Sequence, residues 1–257
     1  MRIDLHFTPD QADELMLRDR TVVVIDVLRA STSIITALHN GAKEIIPVAT
    51  VEAAVKISGN LFGDVTLLGG ERNGKVIEGF HLGNSPFEYT EERVRGKSIV
   101  FSSTNGAKAL AKSRYAKEMA VCGFVNMGVA TEFLLSNPRD LVILCAGNNG
   151  MFSIEDSVCA GMLVDRITDG KGESSGAILL DGARAARLLY KGFNRSLLKM
   201  LKTSDHGMFL QEIGFGDDLP VCAGIDTIPE LPLLDGNVIR LKRETDKKDA
   251  VQTQISS

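Results

Sequence analysis

The 257-residue sequence has no Lys- or Arg-rich stripe, no apolar run long enough to span a bilayer and no closely spaced cysteine pair. Its formal net charge of −4 argues against a nucleic-acid-binding surface. The N-terminus lacks the apolar core of a signal peptide, so we expect a cytoplasmic protein that has neither membrane nor nucleic-acid partners. Hydrophobic residues at 44% and charged residues at 24% are ordinary for a globular chain.

The four cysteines, Cys122, Cys145, Cys159 and Cys222, are widely spaced and have no histidine at metal-ligand spacing. This excludes the usual zinc patterns and does not fit a disulfide framework. A cysteine phosphatase would need an arginine six residues after Cys145, and Met151 stands there. We therefore predict that Cys145 is a small buried thiol and not a nucleophile.

Alternating strand and helix patterns predict an α/β fold. The run 21–27 is apolar and β-branched throughout, which is typical of a strand covered on both faces. The same alternation continues to residue 167 and predicts a three-layer α/β/α domain with a mainly parallel, mixed sheet. The predicted strands span 2–6, 21–27, 43–49, 65–68, 98–101, 118–122 and 141–145, and the predicted helices span 31–40, 51–58, 104–113, 126–135 and 154–167.

The pattern changes after Gly170. The ranges 176–190, 195–201 and 205–212 predict consecutive helices, which form a helical insertion near 176–212. An Asp-Gly turn within 233–238 predicts a C-terminal β-hairpin. We expect one α/β domain over residues 1–243, as a single unit or as two sub-lobes, followed by a disordered polar tail over 244–257.

Four Gly- and Asn-rich turns each follow a predicted strand, at 26–32, 69–74, 102–106 and 145–156. Ligands of parallel sheets bind beyond the carboxyl ends of the strands, so we expect these turns to share one site. Unpaired N–H groups at helix starts favour anions. Carboxylates in the same turns would repel an anion unless a cation lay between them. The turns therefore predict a hard metal ion that bridges to a phosphate or a similar group.

Asp26 is the first candidate for catalysis, because it ends the most apolar strand and Arg29 completes an anion pocket beside it. The alternative is an Asp that only caps the next helix. Haloacid-dehalogenase phosphatases need a second acid two residues further on, and Leu28 occupies that position. This acid/base pairing is therefore absent.

The other candidates also have structural alternatives. Glu71 and Arg72 could be a solvated charge pair, but the flanking glycines allow a close approach to a ligand. The alternative for the polar residues at 103–106 is that they cap a helix and bind no ligand. The alternative for Glu155 and Asp156 is that they complement a helix dipole and bind no metal ion. The length and composition of the loop 79–89 predict a binding lid or a binding wall. The pair Asp217 and Asp218 is predicted to be solvated, with closure of the site as the alternative.

The candidate roles can be stated together. The predicted catalytic residues are Asp26, Arg29, Glu71 and Asp156. The predicted Mg²⁺ ligands are Asp26, Glu71, Glu155 and Asp156. The predicted substrate-binding residues are Arg29, Ser31, Thr32, Arg72, Asn73, Asn84, Ser85, Ser103, Thr104, Asn105, Gly106 and Asn148.

Together these motifs resemble the 2-phosphosulfolactate phosphatase family of coenzyme M biosynthesis. The matching segments are VVVIDVLRASTSI (22–34), GGERNG (69–74), GFHLGNSPFEY (79–89), SSTNGAKAL (102–110) and CAGNNGMFSIEDSVCAG (145–161). The resemblance implies a magnesium-dependent enzyme that converts 2-phospho-3-sulfolactate, a small anionic phosphate ester, to 3-sulfolactate and phosphate. It also implies an α/β fold distinct from the common phosphatase folds and an oligomer, which we expect to be a homodimer.

The implied substrate carries a phosphate, a carboxylate and a sulfonate, and Arg29 and Arg72 are the expected cations for these groups. No covalent nucleophile stands out, so direct attack by metal-bound water is favoured. Two alternatives remain open. One is a phosphatase or lyase that acts on another phosphorylated hydroxy acid, and the other is a non-catalytic anion-binding domain.

Overall fold

The computed structural model describes residues 1–60 and 66–241 of the chain. Its strands are β1 Arg2–His6, β2 Thr21–Ile25, β3 Glu44–Pro47, β4 Thr66–Arg72, β5 Lys75–Val76, β6 Ser98–Ser102, β7 Glu118–Cys122, β8 Leu141–Cys145, β9 Ile178–Leu179, β10 Pro232–Asp235 and β11 Val238–Leu241. Its α-helices are α1 Glu14–Leu17, α2 Ala30–His39, α3 Val51–Asn60, α4 Glu91–Val94, α5 Gly106–Lys112, α6 Met127–Ser136, α7 Ile154–Ile167, α8 Asp181–Phe193, α9 Leu197–Thr203, α10 Asp205–Glu212 and α11 Asp218–Cys222.

These strands form one mixed sheet in the order β5-β4-β6-β3-β11-β10-β7-β2-β8-β1-β9. The strand pairs β1–β8, β2–β7, β2–β8, β3–β6 and β4–β6 are parallel. The predicted hairpin, β10 and β11, is present and pairs antiparallel with β7 and β3. The hairpin thus joins two parallel halves of the sheet, and the predicted mainly parallel, mixed sheet is confirmed.

Side chains alternate across β2 and divide the core into two layers. Val23 and Ile25 pack with the apolar faces of α6, α7 and α8, whereas Val22 and Val24 pack with α2 and α5. All five residues of β2 are buried, as the continuous apolar run predicts. The sheet therefore has helices on both faces, which confirms the three-layer α/β/α architecture.

The predicted helical insertion is present, but its beginning and end differ from the prediction. The predicted helix 176–190 starts only at Asp181, because Ile178 and Leu179 form β9 beside β1. A two-residue strand carries too little sequence pattern to be recognised. The short helix α11 begins at Asp218, the second residue of the acidic pair, where the sequence analysis assigns no helix. The predicted tail, 244–257, lies outside the described residues.

The insertion bends over the carboxyl end of the sheet. Helix α8 packs on α7 and β1, and α10 and α11 then continue to the turns that follow the parallel strands. Within the described residues, no helix is both long and apolar enough to cross a membrane.

Candidate active site

A cavity of about 440 Å³ lies where the predicted turns meet. Residues from each of the four turns line it, together with one residue of the loop 79–89 and two of helix α10. The lining residues are Asp26, Leu28, Arg29, Glu71, Asn73, Gly74, Asn84, Thr104, Asn105, Asn148, Asn149, His206 and Phe209. The volume lies in the usual range for small-molecule sites.

Asp26 directly follows β2 and is 6% exposed. Its backbone N–H donates to Ser31 Oγ at 2.9 Å, and its Oδ1 accepts from the backbone N–H of Ala30 at 3.3 Å. Burial raises the pKa of Asp26 to about 6; nearby His206 and the Ala30 N–H lower it, whereas Glu71 raises it. Asp26 is therefore mostly ionised at neutral pH and can exchange a proton near that pH.

Asp156 lies beside the cavity and is not part of its lining. Its Oδ1 accepts from the N–H of Val27 at 2.8 Å, and its Oδ2 accepts from the N–H of Gly147 at 3.0 Å. Burial raises the pKa of Asp156 well above the usual range, and the charges of Asp26 and Glu155 add to this effect. The hydrogen bonds of Asp156 thus link the turn that follows β2 to the turn that follows β8.

Glu71 joins two other turns. Its Oε2 accepts from the N–H of Gly74 at 2.9 Å, and its Oε1 accepts from the N–H of Thr104 at 2.7 Å. The Thr104 N–H is one of the donors that the sequence assigns to the substrate anion, so in this structure that donor is already used by a carboxylate. Glu71 remains part of the cavity lining.

Arg29 also lines the cavity, but its ionic partner is Asp218 and not Asp26. Arg29 Nη1 lies 2.7 Å from Asp218 Oδ2, and each side chain is only 2% exposed. The prediction that Asp217 and Asp218 are both solvated is therefore wrong for Asp218. The reason is that helix α11 docks against Arg29, while Asp217 at its N-cap stays exposed.

Several predicted substrate-binding hydroxyls make local bonds. Thr32 Oγ1 donates to the backbone O of Val27 at 3.2 Å, and Ser31 Oγ accepts from the N–H of Asp26. Ser103 Oγ accepts from the N–H of Ala107 at the start of α5 at 3.1 Å. These residues shape the turns and are not among the residues that line the cavity.

Arg72 lies at the end of β4, also outside the lining of the cavity. Its guanidinium donates to the backbone O of Glu71 at 2.7 Å and to Ser102 Oγ at 3.0 Å. The two predicted cationic residues therefore lie in different places. Arg29 lines the cavity, whereas Arg72 forms hydrogen bonds with the ends of β4 and β6.

Amide side chains form much of the remaining wall. Asn105 Oδ1 accepts from the N–H of Asn149 at 2.9 Å, which links the third and fourth turns. Among the described residues, Asn84 Oδ1 and Thr104 Oγ1 are buried without a hydrogen-bond partner. Buried polar atoms are normally paired, so these two oxygens indicate a wall that a polar ligand completes. Asn73 and Asn148, both predicted to bind substrate, line the same cavity.

Gly106 begins helix α5 next to Asp26. A Cβ atom at this position would lie 2.7 Å from Asp26 Oδ2 and 2.7 Å from the Cβ of Ala30. Glycine is therefore required here by close approach to the Asp26 carboxylate.

His206 is a residue of the cavity that the sequence analysis does not identify. It lies in the first turn of α10, and its Nδ1 is 3.5 Å from Oε1 of Glu155, whose side chain is 3% exposed. His206 and Glu155 also border an adjoining cavity of about 510 Å³. No local motif surrounds His206, so only the fold of the helical insertion shows that it faces the turns.

Two further observations limit the chemistry. Burial raises the pKa of the Cys145 thiol well above its usual value, and Asp156 adds to the effect. The thiol form is therefore favoured over the nucleophilic thiolate. In residues 1–60 and 66–241, no group of three or more His, Cys, Asp or Glu side chains is arranged to hold a metal ion.

The sheet and the cavity at its carboxyl edge define an α/β protein with a polar cavity of small-molecule size. Comparison with known proteins gives the family. The profile described as 2-phosphosulpholactate phosphatase matches residues 6–237. This chain therefore belongs to the 2-phosphosulpholactate phosphatase family and is a phosphoric monoester hydrolase.

Curated relatives agree with this assignment. A protein of Caldanaerobacter subterraneus subsp. tengcongensis is 37% identical over 247 residues, which cover 95% of this chain and 100% of the relative. A protein of Thermotoga maritima is 40% identical over 223 residues, 87% of this chain and 92% of the relative. A protein of Clostridium acetobutylicum is 37% identical over 232 residues, which cover 90% of this chain and 97% of the relative. Each relative is named "Probable 2-phosphosulfolactate phosphatase".

Proposed function

We propose that the protein hydrolyses 2-phospho-3-sulfolactate to 3-sulfolactate and inorganic phosphate, and that it uses Mg²⁺. The similarity to relatives of that name, over nearly the whole chain, is the observation that carries the proposal. The cavity supports it through its polar lining of amides, one arginine and one histidine. These groups suit a small ligand that carries several oxyanions.

The charges around the cavity support a divalent cation. Asp26 and Glu71 line it, and Glu155 lies close enough to raise the pKa of Asp26 and the pKa of Asp156. Among the described residues that line it, Arg29 and His206 are the only cationic or potentially cationic side chains, and Arg29 is already paired with Asp218. An anionic ester entering this site would meet net negative charge unless a metal ion accompanied it.

The donor set fits Mg²⁺ by its chemistry. Carboxylate, amide and hydroxyl oxygens are hard donors, and the cavity offers Asp26, Glu71, Asn84 and Thr104. Mg²⁺ is commonly held by one or two carboxylates and completed by water and substrate phosphate. This mode needs no cluster of three protein ligands. When bound, the ion would neutralise charge on the transferring phosphoryl group.

The chain's own residues divide the remaining tasks. Arg29 and the amides Asn84, Asn105 and Asn148 would bind and orient the oxyanions of the ester. In hydrolysis a water molecule adds to phosphorus while the bond from phosphorus to the ester oxygen breaks, and the carboxylate of Asp26 would take the proton that the water gives up. The ester oxygen leaves as an alkoxide unless it gains a proton. We assign that proton to His206, because Nδ1 faces Glu155 and leaves Nε2 as the nitrogen available to the leaving oxygen.

The expected homodimer and cytoplasmic location remain predictions. The alternative of a non-catalytic binding domain makes a different prediction, namely binding of anions without release of phosphate. A different phosphorylated hydroxy acid as substrate would also change the order of preference among esters.

Phosphate release from paired esters tests the proposal. We expect 2-phospho-3-sulfolactate to be hydrolysed with a higher kcat/KM than 2-phospholactate, which lacks only the sulfonate. Equal values would show that the site does not recognise the sulfonate, and they would favour another hydroxy acid. Binding of both esters without any release of phosphate would overturn the proposed activity.

A further inference from the structure

The guanidinium of Arg29 is held on several sides by the protein. Nη1 contacts Asp218 Oδ2 at 2.7 Å, Nη2 donates to the backbone O of Gly74 at 2.7 Å, and Cζ lies 4.4 Å from the ring centre of Phe215. An arginine has five N–H donors. These contacts use two of them and leave the others for a ligand in the cavity that Arg29 lines.

Asp218 is fixed by a second partner. Ser85 Oγ donates to Asp218 Oδ1 at 2.6 Å, while Oδ2 faces Arg29. The two carboxylate oxygens therefore have different partners, and the plane of the carboxylate is set by both. Ser85 belongs to the loop 79–89, so this buried network joins that loop to helix α11 and to the turn after β2.

We propose that Asp218 is a positioning residue, which orients Arg29 toward an oxyanion of the phosphate-ester substrate; this inference rests on the proposed function. A buried cation needs a counter-charge while the cavity holds no anion, and Asp218 supplies it. Planar recognition of phosphate or carboxylate also requires a fixed guanidinium plane. Ser85, predicted as a substrate ligand, acts in this network by holding Asp218.

Asp218→Asn tests this role with little change in shape. The amide matches the carboxylate in size, but its neutral oxygen accepts more weakly from Arg29 Nη1 than a charged oxygen does, so the guanidinium is held less firmly. We expect KM for the ester and the inhibition constant of inorganic phosphate to rise together, by roughly 10- to 100-fold. We expect kcat to change less, because the oxyanion contact already exists in the bound ground state.

Asp217→Asn is the matched control. Asp217 is the adjacent residue and carries the same charge, but it is exposed. Its substitution should leave KM, the phosphate inhibition constant and the melting temperature unchanged. Unchanged KM and phosphate inhibition in a folded Asp218→Asn protein would overturn the inference.

A double-mutant cycle separates positioning from an independent effect. If Asp218 acts through Arg29, adding Asp218→Asn to Arg29→Gln should cost little further kcat/KM. If the two losses multiply, Asp218 acts separately and the inference fails. If Arg29→Gln does not fold, because it leaves Asp218 buried and unpaired, the comparison of Asp218→Asn with Asp217→Asn decides alone.

The same assay distinguishes this inference from the proposed function. A wild-type enzyme that releases no phosphate would overturn both. An active wild-type enzyme whose Asp218→Asn variant keeps its KM would overturn only the positioning role.

Discussion

The Nδ1 atom of His206 lies 3.5 Å from Oε1 of Glu155, and this pair connects the helical insertion to the first turn of α7. A second His–Glu pair exists on the surface, where His39 Nδ1 lies 2.8 Å from Glu230 Oε2. His206 lines the cavity, whereas neither His39 nor Glu230 does. The two pairs therefore allow a matched test of what His206 does.

His206→Gln should lower kcat for 2-phospho-3-sulfolactate by roughly 100- to 1,000-fold, because the leaving alkoxide would lose its proton donor. An aryl phosphate with an acidic phenol as leaving group should be affected much less, since its leaving oxygen needs no proton. Steady-state kinetics on both esters measures the difference. His39→Gln is the control and should behave as wild type. Equal losses on both esters would contradict the assigned role of His206.

Asp26→Asn should reduce kcat/KM by at least about 100-fold, because it removes the carboxylate that faces the cavity while it keeps the size of the side chain. The remaining amide oxygen can still accept from the N–H of Ala30, so helix α2 should keep its start. Circular dichroism and phosphate release measure fold and activity separately. A folded and fully active variant would remove Asp26 from the catalytic residues.

The same substitution has a pH-dependent effect on stability in metal-free buffer. The pKa of Asp26 is raised to about 6 from 3.8. Burial of its charged form therefore lowers the free energy of unfolding above pH 6. The neutral carboxyl carries no such cost below pH 3.8. Two pKa units correspond to roughly 3 kcal/mol. We expect Asp26→Asn to stabilise the protein at pH 8 and to lose this advantage as the pH falls toward 4.

Denaturant unfolding of both proteins at several pH values, with a chelator present, measures that advantage. Asp217→Asn serves as a control for loss of an exposed charge. A stability difference that stays constant between pH 4 and pH 8 would contradict the raised pKa of Asp26.

Gly106→Ala should reduce activity, because the added Cβ would lie 2.7 Å from Asp26 Oδ2 and force the carboxylate or helix α5 to move. A shift of about 1 Å at a reacting group can cost 100-fold in rate. Gly192→Ala, in helix α8, is the control, since nothing lies within 4 Å of its Cβ position. Kinetics of the two variants decide the matter, and wild-type activity of Gly106→Ala would show that the contact is not critical.

The sheet could be predicted largely from sequence because its strands are strongly patterned. The β-branched run that forms β2 is buried along its whole length, and β7, β8 and α7 have the predicted bounds. The pattern could not show that the β10–β11 hairpin inserts between two parallel halves, because that depends on strand pairing across the chain.

The cavity could be predicted only where its residues belong to turns after strands. Asp26, Glu71 and Asn148 follow that rule, and the structure brings them together. Asp218 and His206 do not, because they lie on short helices of the insertion, and Asp218 is 189 residues from its partner Arg29. Such contacts depend on docking of one segment on another and leave no periodic pattern in the sequence.

Release of inorganic phosphate from 2-phospho-3-sulfolactate tests the central claim most directly. The wild-type protein should release phosphate with Mg²⁺, lose this activity after exhaustive chelation and regain it when Mg²⁺ is restored. Full turnover after chelation would contradict the proposed role of the metal. No release of phosphate at any Mg²⁺ concentration, from a folded protein, would contradict the proposed function itself.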